Sequence, residues 1–542
     1  MKRNLKKYAI LLSMLLLLGC LSGCRNREEI KNELNIAFPV SPSTIDSALV
    51  SDTTSGDATS PFLSTLYVYD ADRKLVPGLA ESYTNSEDGL TFTFKLRDNL
   101  VWSDGRKLTA GDFVYGLQRL ADPEVGSNAV YFITECCEIV NAPLISIGQK
   151  PVSELGVSAP DNQTLEIRLA RPCPYFLALT ASINFAPCNR EFCTSCGASY
   201  ATSPETVLSC GPYVLDRFEP LATQIHYTKN PNYYNADEIK VESISAQVVA
   251  NTQQAMMCYQ ANDIDITAVS GEYLELADGD SHLHTFSTAS SFSLELNFTN
   301  EALKSLNIRL ALAKSIDRDS IVKNVLRAGS FPLYRINPSG YYFETDGTDF
   351  AADPHQYDEY TGYDPAKAKE YWNKGLSEIG KSSVELELVY TNSMSSVAEA
   401  LKAQMEKNLP GLTLKLKIIT TKEFTSMKGE GGYDLFVSGW VGDYADPTTF
   451  YMQYVSGSGA VSFSDPKYDE AYQDCQSDDV ATDPDERNKR LHKAEDILMQ
   501  NVAVIPVFSQ GRVCLIADGV EGLQYVPTGV SMILTGLKKE VK

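Results

Sequence analysis

Between residues 384 and 419 the chain reads VELELVYT, then a stretch containing SSVAEALKAQMEKNL, then, after Pro410-Gly411, TLKLKII. The first and last runs alternate apolar and polar side chains, which predicts strands with one buried face, and the middle run has helical composition and spacing. Two strands joined through a helix cannot form a hairpin. The helix must cross over and return the second strand parallel to the first. This unit therefore commits the chain to an α/β layer with parallel pairing, and 542 residues are enough for more than one domain. LTFTFKL (90–96), LEIRLA and ISAQVV predict further strands, and LNIAFPVSPSTIDSALVSDTT predicts a strand followed by a polar turn region. Thr109 with Asp112 three residues on marks the start of a helix that has stopped by Pro123. NIRLALAKSIDRDSIVKNVL predicts another, with Leu310, Ala313, Ile316, Ile321 and Val325 on one face.

The first residues fix an expected compartment. Lys2, Arg3, Lys6 and Lys7 precede an apolar run from Tyr8 to Leu18, too short to span a bilayer and so read as an export signal. It ends in Leu21-Ser22-Gly23-Cys24, which resembles the lipobox of bacterial lipoproteins and makes Cys24 the expected lipid-attachment residue; Leu-Leu-Gly-Cys20 is a weaker copy. Residues 1–23 are then the signal, 24–32 a polar leash, and the net charge moves from −23 to −27 when those four basic residues leave. A chain this acidic is repelled by nucleic acid and by anionic lipid head groups, so contact with the membrane is expected through the anchor alone.

Ten cysteines remain beyond Cys24, seven of them between 136 and 210, and disulfides within one subdomain are the default expectation in an exported chain. Cys193-x-x-Cys196 lacks the second pair that a zinc site needs, and His282-x-His284 lacks further ligands. No Walker loop, dinucleotide fingerprint or Gly-x-Ser-x-Gly elbow is present. The composition leaves a two-carboxylate glycosidase open. The balance points to binding rather than catalysis, with no catalytic residue, metal or cofactor expected.

GWVGDYADPTTF (439–450) follows the apolar run Leu435–Val437 and sets acids among aromatics at the end of a predicted strand. Asp-Pro recurs before helical patterns at Asp364, Asp465 and Asp483, where Asp is an N-cap acceptor and Pro suits the first helical position. Asp446-Pro447 has the same form, so Asp446 is expected to cap a helix containing Phe450. Asp443 is then the acid without a structural role.

Six segments in order carry a family resemblance: GLAESYTNSEDGLTFTFKLRDNLVWSDGRKLTAGDFVYGLQRLADP, LGVSAPDNQTLEIRLARPCPYF, GPYVLDRF, NPNYYNADEIKVESI, NIRLALAKSIDRD and AVIPVF. Together they resemble the family 5 extracellular solute-binding proteins, the oligopeptide-binding components of ABC importers, from about Leu34 to the C-terminus. The resemblance implies a two-lobed periplasmic-binding-protein-like α/β fold with mixed sheets. Lobe one would be 33–61, 207–292 and 507–542, an extra subdomain 62–206, and lobe two 293–506. It implies a monomeric, lipid-anchored protein on the extracytoplasmic face that passes oligopeptides to an ABC permease and ATPase complex. Dipeptides, sugars, nickel chelates and signalling peptides are the alternative ligands within the fold. By the same resemblance Asp443 would meet a peptide's α-ammonium, with Trp440 the matching aromatic. The backbone of Ser438, Gly439, Trp440 and Val441 would pair with the peptide main chain, and an extended Asp52–Thr54 segment with Thr53 would flank it. Phe292 and Phe508 are expected near the cleft. Val437 stands where enteric relatives carry a basic residue, which leaves Lys428 as the substitute cation.

Overall fold

The Val384–Thr391 strand runs parallel to Leu412–Ile419 in register along its whole length. The helix between them, Ser395–Asn408, buries Val397, Ala398, Leu401 and Met405. The crossover unit expected from the sequence is thus present. It forms one end of a six-stranded sheet ordered Phe331–Pro332, Val504–Ser509, Ser290–Leu296, Leu435–Val441, Val384–Thr391, Leu412–Ile419. This computed structural model describes residues 32–540 apart from 219–222, 271–272, 278, 328, 421–422, 424–426, 428–431, 459–460, 481–482 and 529–530.

A second, seven-stranded sheet is ordered Leu283–Ser287, Gly511–Ile516, Ile266–Ala268, Glu33–Phe38, Ser243–Val248, Gln224–Lys229, Tyr213–Arg217. Its Glu33–Phe38 strand is parallel to Ser243–Val248, while its edge pairs are antiparallel, so both large sheets are mixed. Ala80–Asn85, Thr91–Leu96, Thr164–Arg168 and Val157–Ser158 make a separate antiparallel sheet. Phe92, Phe94 and Ile167 of that small sheet share one core with Ile36, Ile225 and Ile244 of the seven-stranded sheet. Leu294, Leu388, Leu414 and Ile505 belong to a different core. That the two large sheets pack into different cores is the physical basis of two lobes, with the small sheet built onto the first.

The chain passes between the large sheets at two neighbouring places. Leu283–Ser287 lies in one sheet and Ser290–Leu296 in the other; Val504–Ser509 and Gly511–Ile516 repeat the change around Gln510. The crossings are laced together, because the Gln510 amide donates to Ser290 Oγ at 2.9 Å and Ser509 Oγ donates to the Thr288 carbonyl at 3.3 Å. A Cβ at Gly511 would lie 2.1 Å from the Gly329 carbonyl oxygen, so only glycine fits there. The borders expected at 292/293 and 506/507 cut through strands of the six-stranded sheet. The sequence shows apolar alternation on both sides of each crossing, so the change of sheet leaves no mark in the pattern.

Ala110–Ala121 forms as expected, with Thr109 and Asp112 making a reciprocal capping box. The single helix expected over 307–326 is instead broken. Leu306–Lys314 ends at Ser315, Asp317 caps a new start at Arg318, and Val322–Leu326 is π-helical. The buried Arg318 explains the break. Its guanidinium donates to the carbonyls of Ala313, Ile316, Thr361 and Pro506, groups that a continuous helix would have kept apart. The expected disulfides are absent among the described residues: all ten cysteines are free thiols. Cys136, Cys137, Cys173 and Cys210 are packed into the first lobe's core as small apolar side chains.

Candidate functional site

The Leu435–Val441 strand supplies a backbone edge. It pairs antiparallel with Ser290–Leu296 along its full length, with Gly439 opposite Phe292. The Gly442 amide donates to the Ala289 carbonyl and the Asn297 amide to the Asp434 carbonyl, and these bonds fix the alternation. Phe436, Ser438 and Trp440 turn their amide groups toward the partner strand; Val437, Gly439 and Val441 turn theirs to the other edge. On that edge the Val384–Thr391 strand pairs only with Leu435 and Phe436. Beyond it no described strand covers Gly439 or Val441. The backbone expected from all of Ser438 to Val441 is therefore narrowed: Ser438 and Trp440 already use theirs within the sheet.

Where this strand ends, the chain reaches a cavity of about 390 Å³ at the junction of the lobes. Val441, Gly442, Asp443 and Tyr444 form its second-lobe wall; Asp52, Thr53, Tyr131, Asn184 and Met532 are among the first-lobe residues that complete it. Asp443 lies on this wall. Its backbone amide donates to Thr449 Oγ1 at 3.1 Å, and Tyr131 lines the same cavity from across the junction, where its hydroxyl favours the charged carboxylate. The second carboxylate oxygen, Oδ2, is buried with no hydrogen-bond partner. Burial pushes the carboxyl from its ordinary 3.8 up to about 6, against the opposing pull of the Tyr131 hydroxyl. A buried carboxylate with an unoccupied oxygen favours a cationic or hydrogen-donating ligand group at that point.

The residues after Asp443 have other work. With Pro447 in the cap position of Thr448–Tyr451, Asp446 stands one residue outside the cap, where it accepts from the Thr448 amide at 3.0 Å. Yet it is also fully buried and paired with the Arg487 guanidinium through two bonds of 2.6 and 3.0 Å. Its expected role as a mere cap is corrected by this partner, which lies 41 residues along the chain on another helix. Tyr444 stacks on Tyr175 of the first lobe, with ring centroids 4.2 Å apart and planes at 6°. The loop carrying Asp443 is thus held between a buried ion pair on its own lobe and a ring stack against the other.

Three further expectations change. Thr53 does line the cavity, but Asp52–Thr54 is not extended: Thr53 opens the Thr53–Thr59 helix and Asp52 caps it, accepting from the Ser55 amide. Asp52, followed by small polar residues, is a sound cap signal that the strand-pairing expectation overrode. Phe292 and Phe508 form no part of the cavity wall. They stack on each other at 4.6 Å within the sheet, and the Phe292 ring lies over Gly439, where a Cβ would come within 2.3 Å of it. Trp440 also stays off the cavity wall, donating from Nε1 to Thr449 Oγ1 and packing toward the core around Phe450. Lys428 and Cys24 lie outside the described residues.

Tyr131, Asn184, Tyr175 and Arg487 were not legible as site residues. Tyr131 and Tyr175 sit in segments without clear periodicity. Arg487 did leave a signal: it precedes Leu491, Ala494 and Leu498 at helical spacing, so it occupies the apolar face of Pro484–Gln500 and needs a buried carboxylate.

Two lobes, a cavity between them and a free strand edge leading into it define an α/β ligand-binding protein of the periplasmic-binding type. The profile of the "Bacterial extracellular solute-binding proteins, family 5 Middle" matches residues 74–462. A dipeptide-binding protein of Lactococcus lactis subsp. cremoris is 30% identical over 96% of this chain and 96% of its own. The substrate-binding domain of an oligopeptide ABC transporter from Bacillus anthracis superposes with a TM-score of 0.74 at 31% identity, covering 94% of this chain and 98% of that one. Listeria monocytogenes OppA bound to peptide superposes with a TM-score of 0.73 at 28% identity, covering 94% and 99%. The chain belongs to the family 5 bacterial extracellular solute-binding proteins.

Proposed function

We propose that this protein captures peptides between its lobes and delivers them to an ABC permease, held at the extracytoplasmic face of the membrane by a lipid on Cys24. The observation that carries the reading is the unpaired, buried Oδ2 of Asp443 beside the uncovered edge at Gly439 and Val441. A peptide's α-ammonium supplies the cation, and its main chain continues along that edge as an added strand. Every peptide offers the same backbone donors and acceptors, so pairing of this kind gives affinity without sequence preference. The paired crossings near 288–290 and 509–511 are the place for a hinge, since only two strands of chain need to bend there. The names of the relatives above, peptide binders among them, support the ligand class. The protein performs no chemical step; the peptide leaves as it arrived.

A thermal-shift screen tests the ligand class. Short peptides of mixed sequence should raise the melting temperature, since a ligand that binds only the folded form stabilises it. Stabilisation by sugars or nickel chelates and not by peptides would overturn the assignment. For the anchor, Cys24→Ala should abolish incorporation of labelled fatty acid and release the protein from membranes. Continued labelling would move the attachment to Cys20.

A further inference from the structure

The cavity at the lobe junction carries a second acid that an ammonium at Asp443 leaves unexplained. Asp52 stands exposed on its first-lobe wall, and Asp443 lies on the second-lobe wall. Among the described residues these two are the charged side chains of the wall, and both are negative. Much of the remainder is apolar, with Leu63, Val68, Phe132, Ile183, Ile533 and Leu534 all lining the same space.

Asp52 is fixed in place and kept charged. One of its oxygens accepts from the Ser55 amide at 2.8 Å, and the other accepts from the Ser43 and Ser55 hydroxyls at 2.6 and 2.7 Å. Against the upward pull of burial, the Ser43 hydroxyl and then the Ser55 donors keep its carboxyl below the ordinary 3.8. Two nearby arginines stay off the wall. Arg512 lies 3.8 Å from Asp57, a buried acid of the helix that Asp52 caps, and Arg73 donates to the Pro527 carbonyl at 3.4 Å.

We propose that this cavity is a charge filter, taking peptides whose enclosed side chains are apolar or basic and rejecting acidic ones, with Asp52 the residue that sets the discrimination. The proposal rests on the reading that a peptide binds here with its ammonium at Asp443. That ammonium neutralises Asp443, so Asp52 is the charge that a side chain in the cavity meets. An apolar side chain gains from burial against the apolar wall, and a basic one gains attraction to Asp52. An acidic one must leave water for a wall of its own sign, so desolvation and repulsion act together against it. Main-chain pairing along Gly439 and Val441 is indifferent to side chains. A repulsive group on the wall lets such a site still choose among them.

The test is calorimetric titration of the full chain with tripeptide amides that have a free N-terminus. Gln, Glu or Lys occupies the first or the second position, with Ala elsewhere. Gln and Glu match in size, so their ratio reads charge. The parent should bind Gln about tenfold or more tightly than Glu in at least one position, and Lys at least as tightly as Gln. Asn caps a helix as well as Asp does, so Asp52→Asn should keep the melting temperature of the free protein while lowering the Gln-to-Glu ratio about threefold or more. A role in capping alone would leave that ratio where it was. A smaller ratio in the parent at both positions, a Glu peptide bound more tightly than its Gln match, or a ratio that survives Asp52→Asn would each overturn the proposal. Acetylating the Gln peptide separates the two readings. If acetylation weakens binding while Gln and Glu bind alike, the filter falls and the pairing with Asp443 stands. If acetylation changes nothing, the pairing falls and the filter loses its premise with it.

Discussion

Replacing Asp443 with Asn should make the empty protein more stable at neutral pH while removing its ligand's counter-ion. Burial raises the carboxyl from 3.8 to about 6, roughly two units, and each unit corresponds to about 1.4 kcal/mol. Because the folded value is the higher one, the folded state holds its proton more tightly than the unfolded chain does. Below 3.8 both states are protonated and the carboxyl costs nothing. The cost grows as pH rises between the two values and levels off above 6 at about 3 kcal/mol. Asn carries no charge to desolvate, but its amide is left with a buried polar atom unpartnered where Oδ2 stood, a penalty of about 1 kcal/mol. The variant should therefore be about 2 kcal/mol more stable than the parent near pH 7.5. Near pH 4.5 the carboxyl costs only about 1 kcal/mol, so the two proteins should be nearly equal. Urea unfolding of both proteins at both pH values, followed by tryptophan fluorescence without ligand, reads the difference. A variant less stable than its parent at pH 7.5, or an offset that ignores pH, would refute the argument that Asp443 Oδ2 is buried without a partner.

Asp446→Asn should behave in the opposite way, losing about 3–5 kcal/mol by urea unfolding because it leaves Arg487 buried and unpaired; a cap alone would lose less than about 1 kcal/mol. Gly439→Ala should lose about 1–3 kcal/mol in the same assay, because the new methyl meets the Phe292 ring and the stack on Phe508 resists its movement. Peptide affinity should be greatest between about pH 6 and 7.5, fall about tenfold per unit below about pH 6 as protons compete with the ammonium for Asp443, and fall again above about pH 8 as the peptide's α-amino group loses its own proton. Tyr131→Phe should move the acid-side midpoint to higher pH, since the hydroxyl it removes is what restrains the rise.

The sequence carried most of the fold because its signals are local. Alternation over 384–391 and 412–419 required a parallel pair, and Asp364, Asp465 and Asp483 each cap the helix that the following Pro begins. It misled where a distant partner takes over. Asp446 has the same Asp-Pro form as the other three, but its dominant contact is a guanidinium from another helix. Arg318 breaks a helix whose apolar spacing is continuous, because four carbonyls converge on it. In the site, Asp443 stood out as the acid without a structural role, and the structure leaves one of its oxygens unsatisfied. Tyr131 and Tyr175 could not be found the same way, since each meets its partner only across the lobe junction. Phe292 and Phe508 were placed by family position rather than by pattern; strand alternation turns them into the sheet's own packing.

The most direct test of the central claim is calorimetric titration of the unmutated protein with a short peptide carrying a free N-terminus and with the same peptide acetylated there. Acetylation removes the charge that Asp443 would meet while still forcing that carboxylate to be desolvated. The difference should be about 2–5 kcal/mol, or roughly thirtyfold to several thousandfold in affinity. Equal affinity for the two peptides would contradict the account and leave Asp443 a residue of the turn.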